Sequence, residues 1–139
     1  MEELAVPRSQ EQFAAYIVRF FEEYDELSRQ TTTGNRKDPG PIPSELIFDL
    51  LEADRYEEAW QLIALLVDAA PTDEALGFIA AAALEELICY SVPPDLVLHE
   101  IIERARVDAK LRRALGLMYW DGARPWFRSE VKALGIETC

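Results

Sequence analysis

The sequence predicts an all-α protein, with six or seven helices packed as antiparallel pairs into either a short HEAT- or armadillo-like helical array or an irregular bundle. Three observations lead there. Apolar residues recur at spacings of three and four along most of the chain, proline and glycine fall where one such pattern stops and the next begins, and no segment alternates apolar and polar residues as a half-buried strand would. At 139 residues the chain suits one domain, residues 1–139, with its own core, since a domain of this size buries about two-thirds of its unfolded surface.

The first helix is expected over about residues 10–29. Ser9 and Gln12 have the spacing of a reciprocal capping box, and Phe13, Ile17, Phe20, Tyr24 and Leu27 follow as one stripe. Residues 31–43 contain Gly34, Pro39, Gly40, Pro41 and Pro43 without periodicity, which predicts a loop of the length associated with mobility or function. Pro43 and Ser44 open a short second helix with Leu46, Ile47, Leu50 and Leu51 inward. Asp54 and Glu57 repeat the capping-box spacing before a third helix whose inner stripe is Tyr56, Ala59, Trp60, Ile63, Leu66 and Val67.

Pro71 interrupts the chain and Thr72 or Asp73 caps a fourth helix. That helix is apolar nearly all round from Leu76 until Glu85, the pattern of a helix at the centre of a bundle. After Pro93 and Pro94 a fifth helix turns Leu98, Ile101, Ile102 and Ala105 inward. Asp108 caps a sixth, carrying Leu111, Ala114, Leu115, Met118 and Tyr119, with Gly122 expected as its terminating residue. Pro125 opens a seventh with Phe127, Val131 and Leu134, closed by Gly135. The Trp120–Trp126 corner between the last two is read as core. A weak echo aligns Glu74-Ala75-Leu76-Gly77-Phe78-Ile79 with Arg113-Ala114-Leu115-Gly116-Leu117-Met118 at an offset of 39, and Leu62 and Ile63 with Ile101 and Ile102. Helical repeats of roughly 40 to 47 residues have this spacing.

The net charge is −12 and is unevenly spread. Residues 46–103 hold 13 acids against the single base Arg55, a charge of −12, whereas residues 104–139 hold eight bases against four acids, a charge of +4. Such a body repels phosphate backbones and anionic membranes, so neither direct nucleic-acid binding nor a membrane is expected. No apolar run reaches the ~18–20 residues of a membrane span and no export leader is recognised, so a cytoplasmic location is expected. Cys89, within an apolar helical pattern, and Cys139 are read as free thiols, the first protected and the second reactive.

Catalysis finds little support. His99 with Glu103 one turn later lacks the partners of a metal set. There is no Gly-x-Ser-x-Gly, no phosphate-cradling glycine loop and no Cys-x-x-Cys. Adjacent carboxylates at Glu22-Glu23, Glu57-Glu58 and Glu85-Glu86 diverge on a helix and are read as solvated faces.

The stretch Ile79-Ala80-Ala81-Ala82-Ala83-Leu84-Glu85-Glu86-Leu87-Ile88 resembles the central helix of an uncharacterised bacterial all-helical domain family with an Ala-Ala-Gly-Pro-Leu-Glu-Asp-Leu-type phrase. Ala59-Trp60-Gln61-Leu62-Ile63 upstream and Asp108 to Leu115 downstream extend the resemblance over residues 56 to about 120. Ala82 and Ala83 stand where the family phrase has Gly-Pro. The resemblance implies no known activity and transfers no functional residue.

The expectation is therefore a non-enzymatic, cofactor-free acidic module that binds a basic protein, most concretely an immunity protein or inhibitor occluding a toxin or nuclease. The face expected to carry binding comprises Asp49 and Glu52 on the second helix with Glu57, Glu58, Gln61 and Asp68 on the third. The alternative is a small-ligand or enzymatic site around His99, and self-association is compatible with either.

Overall fold

The computed structural model describes Pro7, residues 9–33 and residues 43–136. Among these residues there are seven helices and no strand: α1 (Gln10–Thr33), α2 (Pro43–Glu52), α3 (Tyr56–Ala69), α4 (Asp73–Ile79, continuing to Tyr90), α5 (Asp95–Val107), α6 (Ala109–Leu117) and α7 (Pro125–Ala133). The flanks of the expected loop are helical, since α1 runs on through Thr33 and α2 begins at Pro43. Residues 34–42 lie outside the described residues.

Several helix starts form as their sequences require. The Ser9 amide donates to Gln12 Oε1 at 3.2 Å while the Gln12 amide donates to Ser9 Oγ at 3.1 Å, closing the reciprocal box. Thr72 Oγ1 accepts from the Ala75 amide, and Asp108 Oδ1 accepts from the amides of Lys110 and Leu111. The Asp54/Glu57 box does not form. Arg55 occupies the N-cap of α3 without a side-chain cap bond, and Asp54 sits one residue earlier in the left-handed region with φ 59°. There Asp54 cannot reach the first-turn amides; instead Arg55 forks onto Glu58 with two contacts of 2.7 Å.

The core is continuous, running from Phe20 through α2 to α6 and on to Phe127 and Val131. Trp60 and Ile63 are buried on α3 as their stripe predicts. The offset of 39 falls on matched burial: Leu62 and Ile101, Ile63 and Ile102, Ala75 and Ala114, Leu76 and Leu115 are all buried. The α3/α4 and α5/α6 pairs pack on one another, chiefly through contacts of α6 with α3 and α4. On the other side α1 covers α2, α3 and α4, and Phe20 meets Phe78 of α4 at a ring separation of 5.6 Å.

The fourth helix departs from the sequence expectation after Ile79. Ala80–Leu84 and Glu86–Tyr90 adopt π-helical geometry, and the Glu85 amide donates to the Ala80 carbonyl five residues back. An i→i+5 turn holds more residues than an α-turn and so changes which way later side chains face. Ala81 is exposed, yet Glu85, four residues on and expected on the same α-helical face, is buried. This corrects the reading of Glu85-Glu86 as a solvated pair. Glu85 Oε1 accepts from the Tyr119 amide at 2.6 Å, fastening the segment after α6 to the centre of the fold.

That segment also differs from expectation. The sixth helix ends at Leu117, so Tyr119 lies beyond it and is 74% exposed. Gly122 is therefore no helix terminator. It has φ 89° as the third residue of a turn closed by the Ala123 amide on the Trp120 carbonyl, and a Cβ there would lie 3.0 Å from the Cys89 carbonyl oxygen. A turn of this kind needs a residue tolerant of positive φ, and the close approach to α4 needs one without a side chain. Trp120 is core, its indole N–H donating to the Leu115 carbonyl at 3.0 Å.

Replacing Glu85 with alanine should leave the Tyr119 amide without its acceptor and destabilise the protein by about 1–3 kcal/mol. Glu85→Gln keeps a carbonyl oxygen in place and should cost less. Urea melts showing the same midpoint for wild type and Glu85→Ala would contradict this account of the corner.

Candidate functional site, an acidic face and its aromatic hollow

The acids of residues 46–103 fall into those the fold compensates and those it leaves. The basic C-terminal third folds back across α3 to α5. Arg104 Nη2 reaches Asp68 at 2.8 Å, Arg113 Nη1 reaches Asp73 at 2.9 Å, and Arg124 pairs with Asp95. Lys110 Nζ donates to the carbonyls of Asp68 and Ala70 at 2.8 and 2.7 Å, capping the C-terminal end of α3 where a cation suits the helix dipole. Charge polarised along the chain is in this region compensated in space. Exposed pairs of this kind contribute little to stability; their significance here is which carboxylates they engage.

Among the described residues no ion pair holds Asp49, Glu52, Asp54, Glu57 or Glu86. Glu57 has a local reason for its place, because it lies in the first turn of α3, where the helix dipole favours an anion. Asp49 and Glu52 have the opposite: they fall in the last turn of α2, which carries no base, and there the dipole disfavours them.

The six face residues expected from the sequence are thus not equivalent. Asp49 and Glu52 are exposed on α2, and Glu57, Gln61 and Asp68 are exposed on α3 at spacings of four and seven, which places them along one side of that helix. Glu58 is only partly exposed and engaged by Arg55, which corrects the expectation that Glu57 and Glu58 are equally free. Asp68 is engaged by Arg104.

Beside this face lies a hollow of about 560 Å³ where the end of α2, the turn into α3 and the π-helical end of α4 meet. Glu52, Asp54 and Glu86 supply its carboxylates. Phe48, Leu51, Tyr56, Tyr90 and Val92 supply its apolar surface, and no base is among the described residues that line it. Tyr90 and Val92 are 68% and 75% exposed. The left-handed backbone at Asp54 turns its carboxylate to accept from the Tyr56 hydroxyl at 3.0 Å. Burial first, then this hydrogen bond and the charge of Asp54, push the Tyr56 phenol above its ordinary value, so Tyr56 acts as a neutral donor. The left-handed residue closes α2, the Asp54 and Arg55 amides donating to the Leu51 and Leu50 carbonyls, while the π-helical turn is a backbone form frequent at functional sites.

Of the hollow, sequence reasoning found only Glu52. Phe48 falls off the Leu46, Ile47, Leu50, Leu51 stripe, and Tyr90 and Val92 end an apolar helix just before Pro93. Aromatic or branched residues off an inner stripe were the available signal, but their convergence depends on the left-handed turn and the π geometry.

The other sequence candidates are placed differently. His99 packs its ring on Trp126 at 4.9 Å, and the Glu103 carboxylate accepts from Arg106. Among the described residues no three His, Cys, Asp or Glu side chains group as metal ligands would, and no helix is long and apolar enough to cross a membrane. Cys89 is partly rather than fully buried, and its neighbour Tyr90 points to solvent; Cys139 lies outside the described residues. Burial first, then the charges of Glu85 and Asp121, push the Cys89 thiol up to about 11, and its Sγ lies 3.5 Å from the Tyr119 carbonyl.

Comparison with known proteins adds one match. Residues 35–137 match a family of unknown function, DUF6869. No curated protein and no solved structure matches the chain.

The raised thiol value keeps Cys89 in its unreactive neutral form well above neutrality. In a Cys139→Ser variant, the rate of native-state modification by a thiol reagent should climb about tenfold per pH unit from neutrality to about pH 10. A plateau near pH 8 to 9, about where an ordinary thiol levels off, would contradict the environment described for it.

Proposed function

The chain belongs to the DUF6869 family, to which no function is attached, and on that footing we propose that it is an acidic protein-binding module of bacterial origin that grips a basic partner in the cytoplasm. The most concrete form of this reading is an immunity protein or inhibitor that covers the nucleic-acid-binding surface of a toxin or nuclease. The observation that carries it is the placement of Asp49 and Glu52: exposed, unpaired among the described residues, and at the end of a helix where folding alone disfavours them. Acidic groups held against the fold's own electrostatics are suited to a cation supplied from outside. Such a face accelerates encounter with a basic surface and selects against wrong partners.

Asp68 and Glu58 enter this reading as supports. Their bonds to Arg104 and Arg55 hold those carboxylates in place at the margin of the face, while Asp49, Glu52, Glu57 and Gln61 present the surface to a partner. The role is one of binding, without a catalytic step or a cofactor.

The test is affinity capture from the native cell followed by kinetics on the captured protein. That protein should be basic, and Asp49→Lys with Gln61→Lys should lower its association rate by about tenfold or more at low salt, with the difference shrinking as salt is raised. Both sites are exposed, and a lysine at position 49 suits the end of α2, so stability should hold within about 0.5 kcal/mol. A captured partner that is acidic, or whose association is unchanged in the variant at every salt concentration, would refute the reading.

A further inference from the structure

Resting on that reading, the geometry points to a narrower assignment: the hollow between α2, α3 and the end of α4 is a socket for arginine side chains presented by a basic segment of the partner. Three features select this occupant. Glu52 and Asp54 come from the end of α2 and the turn after it and Glu86 from the far end of α4, with no base among the described lining residues, so the occupant is cationic. Tyr56 and Tyr90 border the same space, and an aromatic face attracts a cation, the flat guanidinium better matched to it than an ammonium. The carboxylates come from two separate elements, and a guanidinium carries five donors in a fixed fork that can bond carboxylates on two sides at once, which a lysine's point charge cannot match.

The size of the hollow agrees. About 560 Å³ is within the range of small-molecule pockets, enough to take a short stretch of chain. Tyr90 and Val92, exposed at the rim where Pro93 stops the chain, give that stretch an apolar edge to lie against. Nucleic acid does not fit this chemistry, because its phosphates would face three carboxylates.

The probe is a blocked arginine-rich hexapeptide titrated into the full-length protein and followed by nuclear magnetic resonance, beside its lysine and glutamine counterparts. The arginine peptide should shift the resonances of Tyr56, Tyr90 and Glu86. The lysine peptide should bind about tenfold more weakly, and the glutamine peptide should leave the spectrum unchanged. Glu52→Gln combined with Glu86→Gln should weaken arginine-peptide binding by about tenfold or more. Tyr90→Ala should weaken it too, whereas Tyr90→Phe, which keeps the ring, should not. Tyr90 is exposed, so this pair remains decisive even where a carboxylate variant melts early.

Shifts confined to the Gln61 and Asp68 side, equal binding of the lysine peptide, or indifference to Tyr90→Ala would each overturn the socket. The two readings fail separately. A partner that is lost on Asp49→Lys with Gln61→Lys but tolerates Tyr90→Ala removes the socket and leaves the acidic face. The converse result removes the face and leaves the socket.

Discussion

The fourth helix carries a long apolar stripe that must be covered, and that requirement organises this fold. From Ala75 to Ile88 the fourth helix offers Ala75, Leu76, Ile79, Ala80, Ala83, Leu84, Leu87 and Ile88 to its neighbours, all buried. Burying each large apolar side chain contributes about 1.5–3 kcal/mol, so leaving this stripe in water would be costly. The cover comes from α1, α2, α3 and α6. Small residues at Ala80 and Ala83 let those helices approach closely. The one buried carboxylate within this stretch, Glu85, is admitted because the Tyr119 amide satisfies one of its oxygens, and the same contact fixes the Trp120 to Ala123 turn against Cys89. Phe20 completes the cover from α1, a helix that lies outside the stretch matched to the family.

Charge is arranged around this apolar centre by a second constraint. The C-terminal third returns across the acidic middle of the chain, and Arg104, Lys110, Arg113 and Arg124 anchor it to α3, α4 and the start of α5. Among the acids this return leaves without an ion pair in the described residues, Glu74 and Glu100 stand apart, while the others gather at the end of α2, the start of α3 and the hollow. There the electrostatics within the described fold run against stability, with two acids at a helix C-terminus and three carboxylates around one space. The aromatic and aliphatic groups exposed in the same place give up burial that the core elsewhere obtains. Opposition from both terms at one location is the physical basis for reading it as a binding surface.

Much of the architecture was legible in the sequence because helices declare themselves locally. Stripes at three and four, caps such as Ser9, Thr72 and Asp108, the stops at Pro71 and Pro93 and the helix start at Pro125 place nearly every element. The failures share a cause. Asp54 looks like a cap by spacing but adopts a left-handed backbone, Glu85 looks solvated by α-helical phase but lies in a π-helical stretch, and Gly122 looks like a helix stop but belongs to a turn held against Cys89. Each is set by specific hydrogen bonds or close contacts, local at the end of α2 and distant at Tyr119 and Cys89, which periodicity does not encode. The acidic face was visible for the same local reason as the helices. Its division into compensated and uncompensated acids required the position of Arg104, 36 residues from Asp68, and the hollow required three elements to converge.

The central claim is that the acids around the end of α2 and the hollow serve binding at some expense to folding. Its most direct measurement is the melting temperature of a chain carrying Asp49→Asn, Glu52→Gln and Glu86→Gln, compared with wild type at low and at high salt. Relief of like-charge repulsion and of the unfavourable helix-end charges predicts a rise of about 2–5 °C at low salt that shrinks as salt screens the charges. A melting temperature lower than wild type at low salt would show that these carboxylates stabilise the fold, and would contradict the account.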